Sequence, residues 1–100
     1  MGPSQRLVFR VHAVQQMFRR GVSEIEVRAV IEAGEVIERY PDDLPLPAVL
    51  ILGWRDEGRS RTPLHVVVSS DAEAGTLYVV TVYVPDPRLW EPGFRRRKTA

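Results

Sequence analysis

"SEIEVRAVIEAGEVIERY", residues 23–40, carries two hydrophobic periods, and the point where they meet sets the architecture. Ser23 stands three residues before Glu26. A Ser hydroxyl at an N-cap bonds the third helical amide while the Glu carboxylate reaches back to the cap amide, so this spacing predicts a helix start. Ile25, Ala29, Val30 and Ala33 then supply an apolar stripe at helical spacing, and Gly34 stops it, which predicts a helix over 24–33. Past Gly34 the period falls to two. Val36, Glu38 and Tyr40 alternate with Ile37 and Arg39, the pattern of a strand, which the proline-dotted loop "PDDLPLP" (41–47) ends.

Toward the N-terminus, Val8, Val11, Val14, Met17 and Phe18 recur at three- and four-residue intervals, predicting a helix over 10–20 closed by Gly21. "LVFRV" (7–11) is also rich in β-formers and reads equally as a short extended entry. Residues 1–7 are expected to be a lead-in, and "GVS" (21–23) a tight turn between two helices. Toward the C-terminus, "AVLILGW" (48–54) reads as a strand covered on both faces. "PLHVVVSS" (63–70) and "LYVVTVYV" (77–84) follow as strands, separated by the turn signals "RDEGRSRT" and "DAEAGT". Trp90 and Phe94, in the tail 85–100, are too apolar to hang in water and are expected to dock on the body. The expected fold is therefore one α+β domain over residues 1–100, with two N-terminal helices on one face of a four-stranded, mainly antiparallel sheet.

A chain of 100 residues with 44% hydrophobic content supports one modest core. The absence of cysteine excludes disulfides and thiolate metal ligands. No apolar run approaches the roughly 20 residues that span a bilayer, and "MGPSQRLVFRVH" lacks the pattern of a secretory signal; the expectation is a soluble, cytoplasmic protein without a membrane partner. Net charge is only +1, so bulk charge makes no case for nucleic acid. The basic cluster "RRRK", Arg95 to Lys98, is the local exception and could contact phosphate or simply be solvated.

The residues able to do chemistry are His12, Arg19, Arg20, His65, Tyr83 and the arginines 95–97. Each has an ordinary structural reading. His12 is one turn into a helix, where surface histidines are common, and Arg19 and Arg20 suit a helix C-terminus. His65, between Leu64 and Val66, needs a hydrogen-bond partner if buried. Tyr83 shares a strand face with Thr81, opposite Val82 and Val84. Glu24, Glu26, Glu32, Glu35 and Glu38 read as caps and solvated charges. No metal-ligand spacing, glycine-rich phosphate loop or nucleophile elbow occurs, so no cofactor is expected. A metal-free set of His, Arg and Tyr suits cleavage of an RNA phosphodiester through its own 2′-hydroxyl, with a base, an acid and arginines for the charge on phosphorus.

The ordered set "HA" (12–13), Met17, "RGVS" (20–23), "EVRAVIEAGEVIERYP" (26–41), "LILG" (50–53), "PLHVVVS" (63–69) and "TVYVPD" (81–86) resembles the bacterial domain of unknown function 4258. That family often has Arg directly before the Met, where this chain has Gln16. Its layout is similar to the RelE-type ribonuclease toxins, which cleave RNA without metal. The resemblance implies a RelE-like fold. It also implies His12 or His65 as acid or base, Arg20 and one of Arg95, Arg96 and Arg97 as phosphate binders, and Tyr83 as a positioning group. Two functional readings follow. One is a toxin-like ribonuclease or RNA-binding domain held in check by an antitoxin-like partner. The other is a non-enzymatic interaction module or homodimer, joined through a strand edge or the Trp90/Phe94 tail.

Overall fold

A computed structural model describes residues 5–99. Along the chain run β1 (Arg6–Phe9), α1 (Val11–Arg20), α2 (Glu24–Ala33), β2 (Glu35–Tyr40), β3 (Ala48–Glu57), β4 (Ser60–Asp71) and β5 (Thr76–Tyr83). The α+β layout and both helices are as the periodicity predicts, and the capping box at Ser23 is formed: its hydroxyl accepts from the Glu26 amide at 3.1 Å, and the Glu26 carboxylate accepts from the Ser23 amide at 2.9 Å. Gly21 closes α1 in the left-handed conformation, φ 64°, which glycine adopts without steric cost.

The sheet corrects the expectation. It has five strands, ordered β1-β5-β4-β3-β2, and is mixed, because β1 runs parallel to β5 while the other pairs are antiparallel. The fifth strand is "RLVF"; Arg6 and Leu7 fall within the expected lead-in, and Leu7 to Phe9 take up the extended reading of "LVFRV". Its β-formers found a partner 70 residues along the chain (Arg6 opposite Thr76), a long-range pairing that local pattern does not reveal. Of that lead-in, residues 1–4 lie outside the described residues. The turn expected over 55–62 shrinks to Gly58–Arg59, because β3 and β4 stay paired out to Glu57 and Ser60.

The helices turn a different side to the sheet than their stripes suggest. In α1 only Ala13 and Met17 are buried, while Val11, Val14 and Phe18 are exposed. In α2 the buried pair is Val27 and Val30, with Ile25 exposed. Helix α1 packs on β5, and α2 on β3 and β4. Between helices and sheet lies a core of Ala13, Met17, Val22, Val27, Val30, Ile51, Leu64, Val66, Val68, Leu77, Val79 and Val82. Small residues let α2 approach this closely. A Cβ on Gly34 would stand 2.7 Å from the Leu52 carbonyl oxygen and closer still to that of Val30. Both are backbone atoms that cannot move aside, so Gly34→Ala is expected to cost about 1–3 kcal/mol as an overpacked site. Denaturant melts would register this as a lower midpoint at constant slope, and an unchanged midpoint would contradict it.

The opposite face of the sheet is covered by the C-terminal tail. There, Trp90 is only 3% exposed, and a small loop is closed by hydrogen bonds from the Glu91 amide to the Arg96 carbonyl (2.8 Å) and from the Lys98 amide to the Leu89 carbonyl (2.9 Å). This covered face holds the polar cluster described next.

Candidate functional site

Strand alternation places Leu64, Val66 and Val68 of β4 toward the helices, which turns His65 to the tail face. His65 is completely buried there. Its Nε2 lies 2.9 Å from the Phe94 carbonyl oxygen and its Nδ1 3.0 Å from the Tyr83 hydroxyl. A carbonyl oxygen only accepts, so Nε2 carries the proton and Nδ1 accepts from Tyr83. The ring also meets Trp90 edge-to-face, with centroids 4.5 Å apart. Burial holds the imidazole neutral, with its pKa below the usual 6.5.

Two irregularities in strand pairing assemble the rest. In β2 the register slips between Val36 and Glu38, leaving Ile37 unpaired and setting Glu38 opposite Leu50 and Tyr40 opposite Ala48. Without that bulge, Glu35 would share its face with residues 37 and 39; with it, Glu35, Glu38 and Tyr40 all face the tail. In β5 a second slip skips Val80, so Tyr83 pairs with His65 and Tyr78 with Ser69 on the same face.

The Glu38 carboxylate receives the Tyr40 hydroxyl in a short hydrogen bond. It also takes two bonds from Arg97, Nε to Oε2 at 3.0 Å and Nη2 to Oε1 at 3.2 Å. That bidentate guanidinium is the main reason the Glu38 carboxyl lies below its ordinary range, and Glu38 in turn raises Arg97. Burial raises the Tyr40 and Tyr83 phenols, so both keep their protons. The result is an ionised carboxylate, a guanidinium and two protonated phenols around a neutral imidazole. The Arg97 guanidinium also lies 4.6 Å over the Trp90 ring.

Of the residues singled out from sequence, His65, Tyr83 and Arg97 share this cluster. His12 and Arg20 do not: both are exposed on α1, which packs on the other face of the sheet. Arg95 pairs with Glu35 at 2.7 Å, and the Arg96 side chain makes no ion pair among the described residues. Glu38 and Tyr40 are the members that sequence reading missed. Gln16 does structural work. Strand β1 stops at Phe9, opposite Val79, and further along β5 the free Val82 amide donates to Gln16 Oε1 at 2.8 Å. An arginine there, with no acceptor, could not take that bond.

Two open cavities are present, one on the tail face and one beside α2. One, about 370 Å³, is lined by Tyr78, Ser69, Arg10 and the 43–46 loop; Arg10 lies 4.3 Å over the Tyr78 ring. The other, about 340 Å³, is lined by Ala29, Val30 and Ala33 of α2 together with Glu35, Gly53 and Trp54. Among the described residues no three His, Cys, Asp or Glu side chains converge as metal ligands, and no helix is long and apolar enough to cross a membrane.

The buried histidine makes stability depend on pH. His65 is neutral when folded and titrates near 6.5 when unfolded, so its contribution is present above 6.5 and is lost as pH falls through its lower folded value. The melting temperature is expected to drop between about pH 7 and pH 5, with a smaller drop in His65→Gln. Equal slopes in both proteins would contradict this assignment.

The family model described as Domain of unknown function (DUF4258) matches residues 9–84, a span that holds Glu38, Tyr40, His65 and Tyr83 but not the tail. No curated protein and no solved structure matches the chain.

Proposed function

The chain belongs to the family of domain of unknown function DUF4258, whose description assigns no activity, and we propose from the site's chemistry that it is a metal-independent RNA-cleaving domain acting on single-stranded RNA. The observation that carries this reading is the contact of Glu38 with Arg97 and Tyr40 on the face that holds His65 and Tyr83. A base, a phosphate-binding cation and two proton donors share that face. The Glu38 and Arg97 side chains are 25% and 58% exposed, so a ligand reaches them without unfolding the tail.

In the free protein Arg97 depresses the basicity of Glu38. A substrate phosphate competes for the same guanidinium and loosens that hold. Glu38 then takes the 2′-hydroxyl proton as the oxygen attacks phosphorus, Arg97 carries the charge that develops on the phosphoryl oxygens, and the protonated Tyr83 gives its proton to the leaving 5′ oxygen. The proton on Glu38 returns to Tyr83 through Tyr40 or water to complete the cycle. His65 does not touch the substrate; in the free protein its Nδ1 accepts the Tyr83 O–H, which fixes the place of the phenol oxygen, and the O–H turns from His65 to the leaving oxygen as it gives up its proton, which makes His65 a positioning residue. His12 and Arg20, on the other face, have no part in this scheme. The flanking aromatic and arginine pairs, Tyr78 with Arg10 and Trp54 with Arg61, suit stacking of bases on either side of the cleaved bond.

The test is incubation of the purified protein with a labelled single-stranded RNA in excess chelator, beside Glu38→Gln. Cleavage by the natural sequence with cyclic phosphate ends, lost in the variant, is the expected result. No cleavage by either, or equal cleavage by both, overturns the reading.

A further inference from the structure

Helix α1 carries an apolar arc far wider than the part it buries. At about 100° per residue, Ala13 and Met17 sit at one edge of the arc, and Val14, Phe18 and Val11 sweep away from the sheet. The spacing i, i+3, i+7 forms a straight ridge on the helix surface. It is open to solvent: Val11 is 73%, Val14 49% and Phe18 89% exposed, and Ile25 in the first turn of α2 is 79% exposed. Single exposed apolar residues are normal, but a ridge that ends in an uncovered phenylalanine marks a contact surface.

Charge selects the occupant. The α1 sequence VHAVQQMFRR contains no acid. His12 stands near its start and Arg19 and Arg20 at its end, while the Arg10 side chain lies over Tyr78 on the other face of the sheet. Neither Arg19 nor Arg20 forms an ion pair among the described residues, so the C-terminal end of the ridge carries two cations without ion-pair partners. A second copy of α1 has no acid to offer these arginines. We infer that the α1 ridge is the docking site of a different protein chain, presenting an amphipathic helix with apolar residues at i, i+3 and i+7 and flanking carboxylates. The apolar side of such a helix covers Val11, Val14 and Phe18, and its acids meet Arg19 and Arg20, which quickens encounter and rejects basic helices. This inference does not rest on the RNA reading. The ridge and the polar cluster lie on opposite faces of the sheet, so a partner here leaves the cluster open.

The test uses two designed helical peptides of about 18 residues, long enough to hold the ridge spacing. Both carry leucines at i, i+3 and i+7, one with glutamates at the flanking positions and the other with lysines. Fluorescence anisotropy is expected to show saturable binding of the glutamate peptide, at least 10-fold tighter than the lysine peptide and weakened by salt. Phe18→Ser should lower that affinity at least 10-fold. An Arg19→Glu, Arg20→Glu double variant should reverse the preference between the peptides. Because all three side chains are exposed, the variants should melt with the parent protein, and that is checked by circular dichroism. Equal binding of the two peptides, binding indifferent to Phe18→Ser, or a dimer of the protein alone that Phe18→Ser dissociates would each overturn the inference.

Discussion

His65→Ala is expected to lower stability by about 3–5 kcal/mol, roughly 15 °C or more in melting temperature for a domain of this size. Three losses combine. The vacated ring leaves a cavity beneath Trp90, which meets it edge-to-face at 4.5 Å. The Tyr83 hydroxyl and the Phe94 carbonyl lose their partners at 3.0 and 2.9 Å, and an unsatisfied buried polar group costs about 1–3 kcal/mol. The third loss concerns the backbone. Phe94 has φ 60°, a left-handed conformation that costs a non-glycine residue about 1–2 kcal/mol. The His65 bond to its carbonyl and the edge contact of its ring with Trp54, 6.1 Å between centroids, offset that cost in the native tail. With the imidazole gone, the strain favours release of residues 90–97 ahead of the rest. Trp90 fluorescence should shift to the red and trypsin should cut among Arg95–Lys98 at temperatures where far-ultraviolet dichroism is still native. His65→Gln, which can supply one donor and one acceptor, should recover part of the loss. A tail as protected as in the parent protein would sink this account of His65 as the pin that holds it.

Reading the sequence succeeds where the cause is local. The capping box at Ser23, the glycine stops at Gly21 and Gly34, and the runs of β-branched residues act through neighbours a few positions away. It falls short where partners are distant. The β-formers at 7–9 allow an extended reading, but nothing within "RLVF" says that β5 offers it an edge. The helix faces fail for a related reason. A stripe centred on Val14, Met17 and Phe18 is a fair estimate of the apolar side of α1, yet Gln16, bonding the open edge of β5, helps hold the helix rotated so that only the Ala13 edge is buried. The same gap hid part of the candidate site. Glu38 is one glutamate among five in residues 24–38, and only the bulge at Ile37 turns it, with Tyr40, toward His65. His12 drew attention because histidine is rare in this chain, but rarity says nothing about which face of the sheet a residue occupies.

For the cluster itself, Glu38→Gln is expected to reduce RNA cleavage about 10²–10⁴-fold, the usual contribution of one positioned proton-transfer group. Glutamine is nearly isosteric, and its carbonyl oxygen can still accept from Tyr40 and Arg97, so the fold and RNA binding should survive; what it cannot do is take a proton at neutral pH. The loss should therefore fall on kcat, with KM little changed. Arg97→Lys should behave differently. It keeps the charge but not the two-pronged geometry, so both parameters should worsen. Arg97 also sets where Glu38 titrates. In the free protein the guanidinium holds the carboxyl below its ordinary range, so kcat/KM should rise with pH along an acid limb that lies below the normal carboxylate value. Removing the guanidinium in Arg97→Ala should move that limb upward, a shift that loss of a purely structural ion pair would not produce. Because His65 is held neutral by burial, no limb should appear near the ordinary histidine value, and His12→Ala, on the opposite face, should cleave within about two-fold of the parent. A limb near pH 6.5 that His12→Ala abolishes would move the chemistry to the helix face and remove Glu38 from it.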